Sequence, residues 1–370
     1  MTALHGICEL GFGRIADAFA ANFAGRGEIG AAVSVFSGGR LVVDLWGGHR
    51  DAGRTLPWDR DTLVCMMSVG KGMAAICVHR LIERGAIALD APVARYWPEF
   101  AAAGKEEVTV RHVLGATSGA LFADDVPAGA VTDWMLMTGG IARQPTAWEP
   151  GTRGAYQSMT MGFLLGELIR RVDGRTLPAY FREEIAEPLG IEYGWGLDDA
   201  QIARTADIVA NDGHETLKAF ADPTTMLGRA WHMRPKGPGF YNTDQFRRGV
   251  LPSSNGHGTA RAVATIFDAL LADGRLVSAA TRERMRTLEW DMPCGMTGRP
   301  YRYALGFFLS GPPMVPMGPN PRAFGHPGAG GAIGFADPEA GLSFAYAPNF
   351  MCAGGGSGER CNALVDALYD

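Results

Sequence analysis

Apolar residues in the first fifty positions change from a helical period to the continuous runs that are typical of strands. Isoleucine and phenylalanine recur every four residues over 13–25, and this spacing predicts an amphipathic helix. The runs AAVSVF and RLVVDLW follow between residues 31 and 46, separated by Ser37, Gly38 and Gly39. Two β-rich runs around such a turn predict a β-hairpin.

The middle of the chain has a helical pattern that proline and glycine interrupt repeatedly. Residues 68–84 form its most apolar stretch, and Gly85 is placed to end that helix. The helical pattern continues over residues 86–250, but residues 230–258 are irregular, which is typical of a long loop that lines a site. A further helix is predicted at 259–273.

The C-terminal part of the chain returns to a strand-like pattern. The runs YALGFFL, AIGFAD and LSFAYAPN predict strands, with a turn at 338–341 and a closing helix at 359–370. Because strands near both chain ends flank helices in the middle, we expect an α+β fold with one sheet assembled from the two ends. The predicted units are residues 1–62 with 263–370 for the sheet, and a mostly helical inserted subdomain at 63–262.

Composition changes this picture mainly by exclusion. The 370 residues are 47% hydrophobic and 20% charged, as in an ordinary globular protein, and the net charge of −5 argues against nucleic acid or an anionic membrane as partner. No apolar run reaches the ~18 residues that span a bilayer, and the first ten residues lack the pattern of a signal peptide. The six cysteines have no C-x-x-C spacing, so we expect reduced thiols in a cytoplasmic protein.

Two motif-like features have more ordinary explanations. GFGRIA, at residues 11–16, matches a dinucleotide fingerprint, but that fingerprint needs a preceding strand and a βαβ unit. MTALHGICEL is a poor strand, and a hairpin follows the helix instead of a crossover. The eight histidines show no H-x-H or H-x-x-x-H pair, so we expect neither a metal nor a cofactor, and His79 and His112 are interpreted as structural.

Lysine usage singles out one position. Of the 34 basic residues only four are lysine, and Lys71 alone lies in a hydrophobic run, LVCMMSVGKGMAAICV at 63–78. Arginine keeps its proton in proteins, whereas a buried lysine can lose it and act as a base. Ser68 stands three residues earlier, so on a helix the hydroxyl and the amine share a face. A surface lysine on an amphipathic helix is the alternative explanation.

A Ser-x-x-Lys enzyme needs two further groups, and the sequence offers candidates for both. The serine needs a base and a proton relay, and backbone N–H groups must hold the oxyanion. Tyr156 and Ser158 stand in a predicted loop just before a helix, although such a tyrosine is commonly a packing residue. His326, Pro327 and Gly328 open a run of small residues, which suits an edge strand against which a substrate lies.

Together these features resemble the serine β-lactamase and penicillin-binding-protein superfamily, on the class C-like branch with family VIII carboxylesterases and D-aminopeptidases. The matching segments are Ser68–Lys71 for S-x-x-K, Tyr156–Ser158 for Y-x-N and His326–Gly328 for K-T-G. The resemblance covers nearly the whole chain and implies a β-lactamase/transpeptidase-like fold. It also implies that Ser68 is acylated, that Lys71 and Tyr156 move the proton, and that the N–H groups of Ser68 and Ala329 hold the oxyanion.

Two departures from the family pattern bear on the substrate. Ser158 replaces the asparagine of Y-x-N, and His326 replaces the lysine of K-T-G, which in lactamases helps to bind a carboxylate. Histidine is mostly neutral at pH 7, so the resemblance implies a carboxylesterase acting on small esters. The alternatives are a D-aminopeptidase or other amidase, a β-lactamase, an acyltransferase, and a catalytically silent ligand-binding protein of the same fold.

Other residues are candidates for the walls of a substrate pocket. Beside Ala329, the candidate substrate-binding residues are His326, Gly328, Ser158, Trp148, Tyr241 and His257. Of these, the last three are equally well explained as structural residues. A small-molecule ester or amide is the expected partner, without nucleic acid or membrane, and the oligomeric state stays open.

Overall fold

The computed structural model of the protein describes residues 2–211, 213–235, 239–311, 314–353 and 356–370. The strands are β1 (Leu4–Cys8), β2 (Gly30–Ser37), β3 (Arg40–Gly48), β4 (Val64–Cys65), β5 (Tyr193–Gly194), β6 (His257–Gly258), β7 (Trp290–Pro293), β8 (Pro300–Tyr303), β9 (Phe308–Leu309), β10 (Phe324–Pro327), β11 (Ile333–Asp337) and β12 (Leu342–Pro348).

The α-helices are α1 (Gly13–Gly25), α2 (Val69–Glu83), α3 (Val110–Leu114), α4 (Trp134–Arg143), α5 (Thr160–Asp173), α6 (Leu177–Phe181), α7 (Glu187–Leu189), α8 (Asp199–Ala203), α9 (Glu215–Ala221), α10 (Met226–Ala230), α11 (Asp244–Arg248), α12 (Ala260–Leu271), α13 (Ala279–Met285) and α14 (Gly358–Tyr369). Short 3₁₀ segments lie at Val93–Arg95, Pro98–Ala101 and Phe240–Asn242, and a π-helical turn lies at Arg182–Ala186.

Nine strands form one antiparallel sheet in the order β1-β3-β2-β12-β11-β10-β9-β8-β7. The strands from the two chain ends meet where β2 pairs with β12, with Val33 opposite Tyr346. The predicted α+β sheet built from both ends is therefore confirmed. α12 packs on this sheet, and the Ser343 hydroxyl of β12 donates a hydrogen bond of 2.9 Å to the Ala264 carbonyl of the helix.

The N-terminal hairpin and helix form where the sequence predicts them. Gly38 and Gly39 have φ values of 57° and 79°, the left-handed conformations that a two-residue turn between twisted strands needs. Val33 and Val35 of β2 point into the core and are fully buried. α1 has the predicted bounds, because its apolar residues line one face and bury Phe19 completely.

The interpretation of MTALHGICEL as a poor strand is wrong, since Leu4–Cys8 forms β1 and pairs with β3. β1 lies at the edge of the sheet and is largely exposed, so main-chain hydrogen bonds hold it without an apolar pattern. A Cβ atom at Gly6 would lie 1.8 Å from the Asp44 carbonyl oxygen, so this register requires glycine. The neighbouring GFGRIA still has no βαβ unit, because α1 leads into the antiparallel hairpin.

The predicted strand YALGFFL is shorter than expected. β8 ends at Tyr303, the chain turns at Gly306 with a φ of 91°, and only Phe308 and Leu309 form β9. Among the described residues of β10, only Phe324 and Gly325 pair with β9, so the last two residues of β10 extend past the end of β9. β10 is therefore an interior strand of the sheet and not the expected edge strand, but its last two residues have no partner on the β9 side among the described residues.

Helix α2 lies at the centre of the molecule, and every residue from Val69 to His79 is buried. A helix that is apolar on all sides belongs in a core. His79 fits there because its Nε2 atom lies 2.9 Å from the Leu305 carbonyl oxygen, which supports its structural interpretation. His112 likewise caps α3 together with Thr109. Lys71 is the remaining polar residue of this buried segment.

The middle of the chain supplies most of the helices and a small sheet in the order β4-β6-β5. The irregular stretch 230–258 contains α11 and β6, and its residues 236–238, including Lys236, lie outside the described residues. The division into 1–62 with 263–370 and an insertion at 63–262 stays a prediction. α12 runs across the second boundary, since it begins at Ala260.

Candidate active site

Ser68 stands at the point where a short strand turns into α2. Met67 just before it has a φ of 48°, a left-handed conformation that is unusual for a residue with a side chain and costs energy. The Met66 N–H donates to the Gly256 carbonyl at 2.9 Å and fixes the approach to this turn. Ser68 is the N-cap residue of α2 and is only half-buried, so its hydroxyl is accessible at the positive end of a helix.

Lys71 is fully buried, and its amine reaches back to Ser68. The Nζ atom lies 2.9 Å from Ser68 Oγ and donates at 2.8 Å to the Ser253 carbonyl oxygen. Burial lowers the pKa of Lys71 well below its usual value, and no carboxylate of the described residues opposes that shift. A neutral amine can accept the Ser68 proton through its lone pair while one of its N–H groups still donates to the Ser253 carbonyl oxygen.

The loop that carries Ser253 packs between α2 and α5 at two glycines. A Cβ atom at Gly70 would lie 2.5 Å from the Pro252 carbonyl oxygen, and one at Gly162 would lie 2.5 Å from the Ser253 nitrogen. The Gly162 N–H in turn donates to Ser253 Oγ at 2.8 Å. Asn255 closes the loop on itself by accepting from the Leu251 N–H at 2.9 Å. The second partner of Lys71 is thus a backbone carbonyl held by helix packing.

Tyr156 completes the group around Ser68. Lys71 Nζ lies 4.7 Å from the centre of the tyrosine ring, and Tyr156 lines the same cavity as Ser68. Burial raises the pKa of Tyr156 well above its ordinary value, so the hydroxyl keeps its proton at neutral pH. The structure therefore brings together the three residues that the sequence predicts as catalytic, in the loop and helix where it predicts them.

His326 lies behind this group, fully buried on β10. Its Nδ1 atom lies 2.8 Å from the Pro327 carbonyl oxygen, and because a carbonyl only accepts, Nδ1 carries the proton. Nε2 is then an acceptor, and it has no hydrogen-bond partner among the described residues. Burial, reinforced by the nearby Lys71, lowers the pKa of His326 to about 3. The side chain is therefore neutral at physiological pH.

Gly328 brings the end of β10 against the turn that precedes Ser68. A Cβ atom at Gly328 would lie 2.3 Å from the Met66 carbonyl oxygen, so only glycine allows this approach. Its N–H donates to the Ala332 carbonyl at 2.6 Å and shapes the turn that follows. Ser68 and Ala329 both line the cavity, and within the described residues neither of their N–H groups donates to a protein acceptor.

A cavity of about 390 Å³ opens above Ser68. Residues of its wall include Met67, Tyr156, Ser158, Phe220, Trp231, Tyr241, Met296, Arg299, Tyr301, Phe308, Met314, Gly328, Ala329 and Met351. Six aromatic residues and four methionines are among the residues that line the cavity. The charged residues Glu215 and Arg299 also line it, and they pair with each other at 2.6 Å. An uncharged, largely apolar substrate therefore suits this cavity.

The candidate pocket residues divide into two groups. Of the described candidates, Gly328, Ala329, Ser158 and Tyr241 line the cavity, and the fully buried His326 does not. Trp148 does not, because the Arg153 guanidinium covers its ring at 5.1 Å. His257 does not either, because it belongs to β6 and its ring packs against Phe246 at 6.1 Å, with Nδ1 2.7 Å from the Asn255 carbonyl. For these two residues the structural explanation holds.

Sequence reasoning missed the Ser253 carbonyl, Cys294 and Trp231 at the site. A backbone acceptor has no residue signature, although the run PSSNGHG resembles the family.

The described part of the chain contains no helix long and apolar enough to cross a membrane, and no group of three or more acidic, histidine or cysteine side chains that could hold a metal ion.

Comparison with known proteins agrees with this geometry. The sequence profile of the Beta-lactamase family matches residues 15–358. The chain belongs to the beta-lactamase family. The match spans both the N-terminal helix and the C-terminal strands, so the resemblance to the serine β-lactamase and penicillin-binding-protein superfamily is confirmed.

Relatives in this beta-lactamase family include named esterases. The chain is 34% identical to the esterase/beta-lactamase LipL of Mycobacterium tuberculosis, over 94% of this chain and 83% of that protein. It is 29% identical to the esterase EstB of Burkholderia gladioli, over 93% and 91%. A crystal structure of a family VIII carboxylesterase superposes with a TM-score of 0.90 at 36% identity, covering 99% of this chain and 98% of the other. These relatives confirm the β-lactamase/transpeptidase-like fold.

Proposed function

We propose that this protein is a serine carboxylesterase that hydrolyses small esters through an acyl-enzyme. The observation that carries the proposal is the 2.9 Å contact between Ser68 Oγ and the buried Lys71 amine. A base beside the hydroxyl is what makes serine a nucleophile at neutral pH. The names of the esterase relatives and of the family VIII carboxylesterase structure support the same activity.

Acylation follows from the positions of the three side chains. Ser68 Oγ attacks the carbonyl carbon, and its proton passes to the neutral Lys71 amine. The N–H groups of Ser68 and Ala329 hold the oxyanion that forms on the carbonyl oxygen, since both residues line the cavity and neither N–H has an acceptor among the described residues. The bond to the alkoxy oxygen then breaks, and Tyr156 gives a proton to the leaving alcohol while Lys71 restores the tyrosine.

Deacylation uses the same groups in the opposite direction. Water attacks the acyl carbon and gives its proton to the coupled Lys71 and Tyr156. The bond to Ser68 Oγ breaks, the serine recovers a proton, and the carboxylic acid leaves. Tyr156 suits both steps because burial keeps it protonated and its side chain lines the same cavity as Ser68.

Esters fit this site better than β-lactams. A penicillin-type substrate carries a carboxylate, and a buried, neutral His326 supplies no positive charge for it. Arg299, which lines the cavity, is already paired with Glu215. An uncharged ester needs neither cation, and the aromatic and methionine walls favour it.

Incubation with p-nitrophenyl esters of increasing chain length, followed by mass and absorbance, tests the proposal. A burst with turnover and a transient acyl adduct on Ser68 are expected, with Ser68→Ala as the inactive control. A stable adduct without turnover would point to a sensor, and absence of any adduct to a binding protein. Either result contradicts the esterase proposal.

A further inference from the structure

The third residue of the Y-x-S motif does not reach freely into the cavity. Ser158 is 3% exposed, and its Oγ atom accepts a hydrogen bond of 2.7 Å from the indole N–H of Trp231. Serine is shorter than the asparagine of the family pattern, which leaves room for the indole edge beside the catalytic loop. The side chain at the third motif position therefore forms a hydrogen bond within the protein.

Trp231 joins a second aromatic ring in the cavity wall. It follows α10, is 4% exposed, and packs on Phe220 of α9 with ring centres 4.5 Å apart and ring planes at 32°. Tyr241 and Tyr301 extend the aromatic lining. The hydrogen bond to Ser158 fixes the indole in its plane, because rotation of the ring would break it.

The remaining lining also suits a flat ring. Met67, Met296, Met314 and Met351 contribute thioether side chains to the same cavity. Thioether sulfur and aromatic faces both interact favourably with an aromatic ring, beyond the apolar area that the ring buries. A saturated ring of similar size would bury similar area but would lack those interactions.

We propose that the hydrogen-bonded pair Ser158 and Trp231, with Phe220, forms a subsite for an aromatic ring, so that the preferred esters carry an aryl group. This inference rests on the esterase activity proposed above. Ser158 acts as a positioning residue for the indole, and Trp231 determines specificity. The ring can belong to the acyl or to the alcohol part of the ester.

Two pairs of substrates isolate the aromatic contribution. Methyl phenylacetate against methyl cyclohexylacetate places the ring in the acyl part, and benzyl acetate against cyclohexylmethyl acetate places it in the alcohol part. Acid release is followed with a pH indicator in solution, so the ester itself carries no aromatic reporter group. We expect the aromatic member to have a kcat/KM about 3- to 10-fold higher in at least one pair. Equal values in both pairs would overturn the subsite while leaving the esterase proposal intact, whereas no hydrolysis of any ester would overturn the esterase proposal.

Variants then test the assignment to these residues. Trp231→Leu should bring the aromatic-to-saturated ratio close to one. Ser158→Ala and Trp231→Phe each remove the same hydrogen bond, so both should lower the ratio and the double variant should lower it no further. Trp134→Phe is the matched control. The Trp134 indole donates a hydrogen bond of 2.8 Å to Glu167, and neither residue is among the described residues that line the cavity. If the ratio of the folded Trp231→Phe and Ser158→Ala variants equals that of the wild type, the pair does not shape the subsite.

Discussion

The backbone N–H of Tyr156 donates a hydrogen bond of 3.2 Å to the sulfur of Cys294. Cys294 follows β7 and is 1% exposed, so its thiol is a buried acceptor. The next residue repeats the attachment, since the Gly295 N–H donates to the Gly154 carbonyl at 2.9 Å. The turn between β7 and β8 thus holds the loop that places Tyr156 beside Ser68.

Replacement of Cys294 tests whether this attachment positions the tyrosine. Cys294→Val keeps a small apolar side chain but leaves the Tyr156 N–H without an acceptor, a loss of ~1–3 kcal/mol for a buried donor. We expect kcat to fall about 10-fold with a smaller change in KM, and Cys294→Ser to recover part of it. Cys361→Val on α14 is the matched control, as Cys361 is buried elsewhere. Wild-type kcat in a folded Cys294→Val would contradict this role.

Ser68→Ala should abolish catalysis while the protein stays folded. Loss of the nucleophile is expected to lower kcat by ~10³-fold or more, equivalent to at least ~4 kcal/mol of transition-state stabilisation. A fluorophosphonate probe should label Ser68 and nothing else in the site. Cys65 is the nearby competitor, but burial raises the pKa of its thiol to about 12, so it is unreactive at neutral pH. A label on Cys65, or near wild-type activity in Ser68→Ala, would show that the assignment is wrong.

Local pattern was enough to predict the elements that carry the chemistry. Ser68 and Lys71 lie on one helix, and their spacing places them side by side before any tertiary contact is known. Tyr156 could be predicted because the loop before α5 carries a motif in the expected order. The prediction of these residues needs only their spacing and order in the sequence, and the structure brings them together.

Residues that depend on long-range packing could not be found in this way. Cys294 meets Tyr156 across 138 positions, and Trp231 meets Ser158 across 73. The sequence offers Trp148 and His257 as candidates for the pocket wall or as structural residues. The structure packs Trp148 under an arginine and His257 against Phe246. Strand β1 escaped prediction for a related reason, since main-chain pairing at an edge leaves no hydrophobic pattern.

Gly70→Ala tests the packing that supports Lys71. The new Cβ atom would lie 2.5 Å from the Pro252 carbonyl oxygen, so the loop must shift and carry the Ser253 carbonyl away from the amine. We expect both a lower melting temperature and a lower kcat. Gly13→Ala is the control, because nothing lies within 4 Å of its Cβ position and alanine favours a helix. Unchanged kcat in Gly70→Ala would show that the Ser253 contact is dispensable.

His326 is expected to determine the preference for esters over β-lactams. Loss of a charge-assisted hydrogen bond to a carboxylate corresponds to ~1.5–3 kcal/mol, so kcat/KM for a short ester should exceed that for a cephalosporin by about one to two decades. Because the pKa of His326 is lowered to about 3, this ratio should stay constant between pH 5 and 8. His326→Lys should raise β-lactam turnover relative to ester turnover. Equal wild-type rates, or an unchanged ratio in the lysine variant, would remove position 326 as the determinant.

Lys71 is expected to act as a neutral base and not as a fixed positive charge. Lys71→Arg keeps the charge but cannot give up a proton, so it should be nearly as inactive as Lys71→Ala. Wild-type activity should rise with pH through an apparent pKa well below the ~10.4 of free lysine, because burial lowers the pKa of Lys71. That apparent pKa belongs to the coupled Lys71 and Tyr156. Substantial activity in the arginine variant would show that charge alone suffices.

The same lowered pKa of Lys71 makes a prediction about stability that needs no substrate. Between the folded pKa of Lys71 and ~10.4, the unfolded chain binds this proton and the folded protein does not, so the free energy of unfolding rises with pH. Lys71→Met lacks this proton. The two proteins share all other titrating groups, so the contributions of those groups cancel in the difference between the two free energies of unfolding. Relative to Lys71→Met, the free energy of unfolding of the wild type should therefore rise by about 1.4 kcal/mol per pH unit within this window and stay constant below it. Urea unfolding of both proteins at several pH values measures the difference, and parallel curves would mean that Lys71 is protonated in the folded state and cannot be the base.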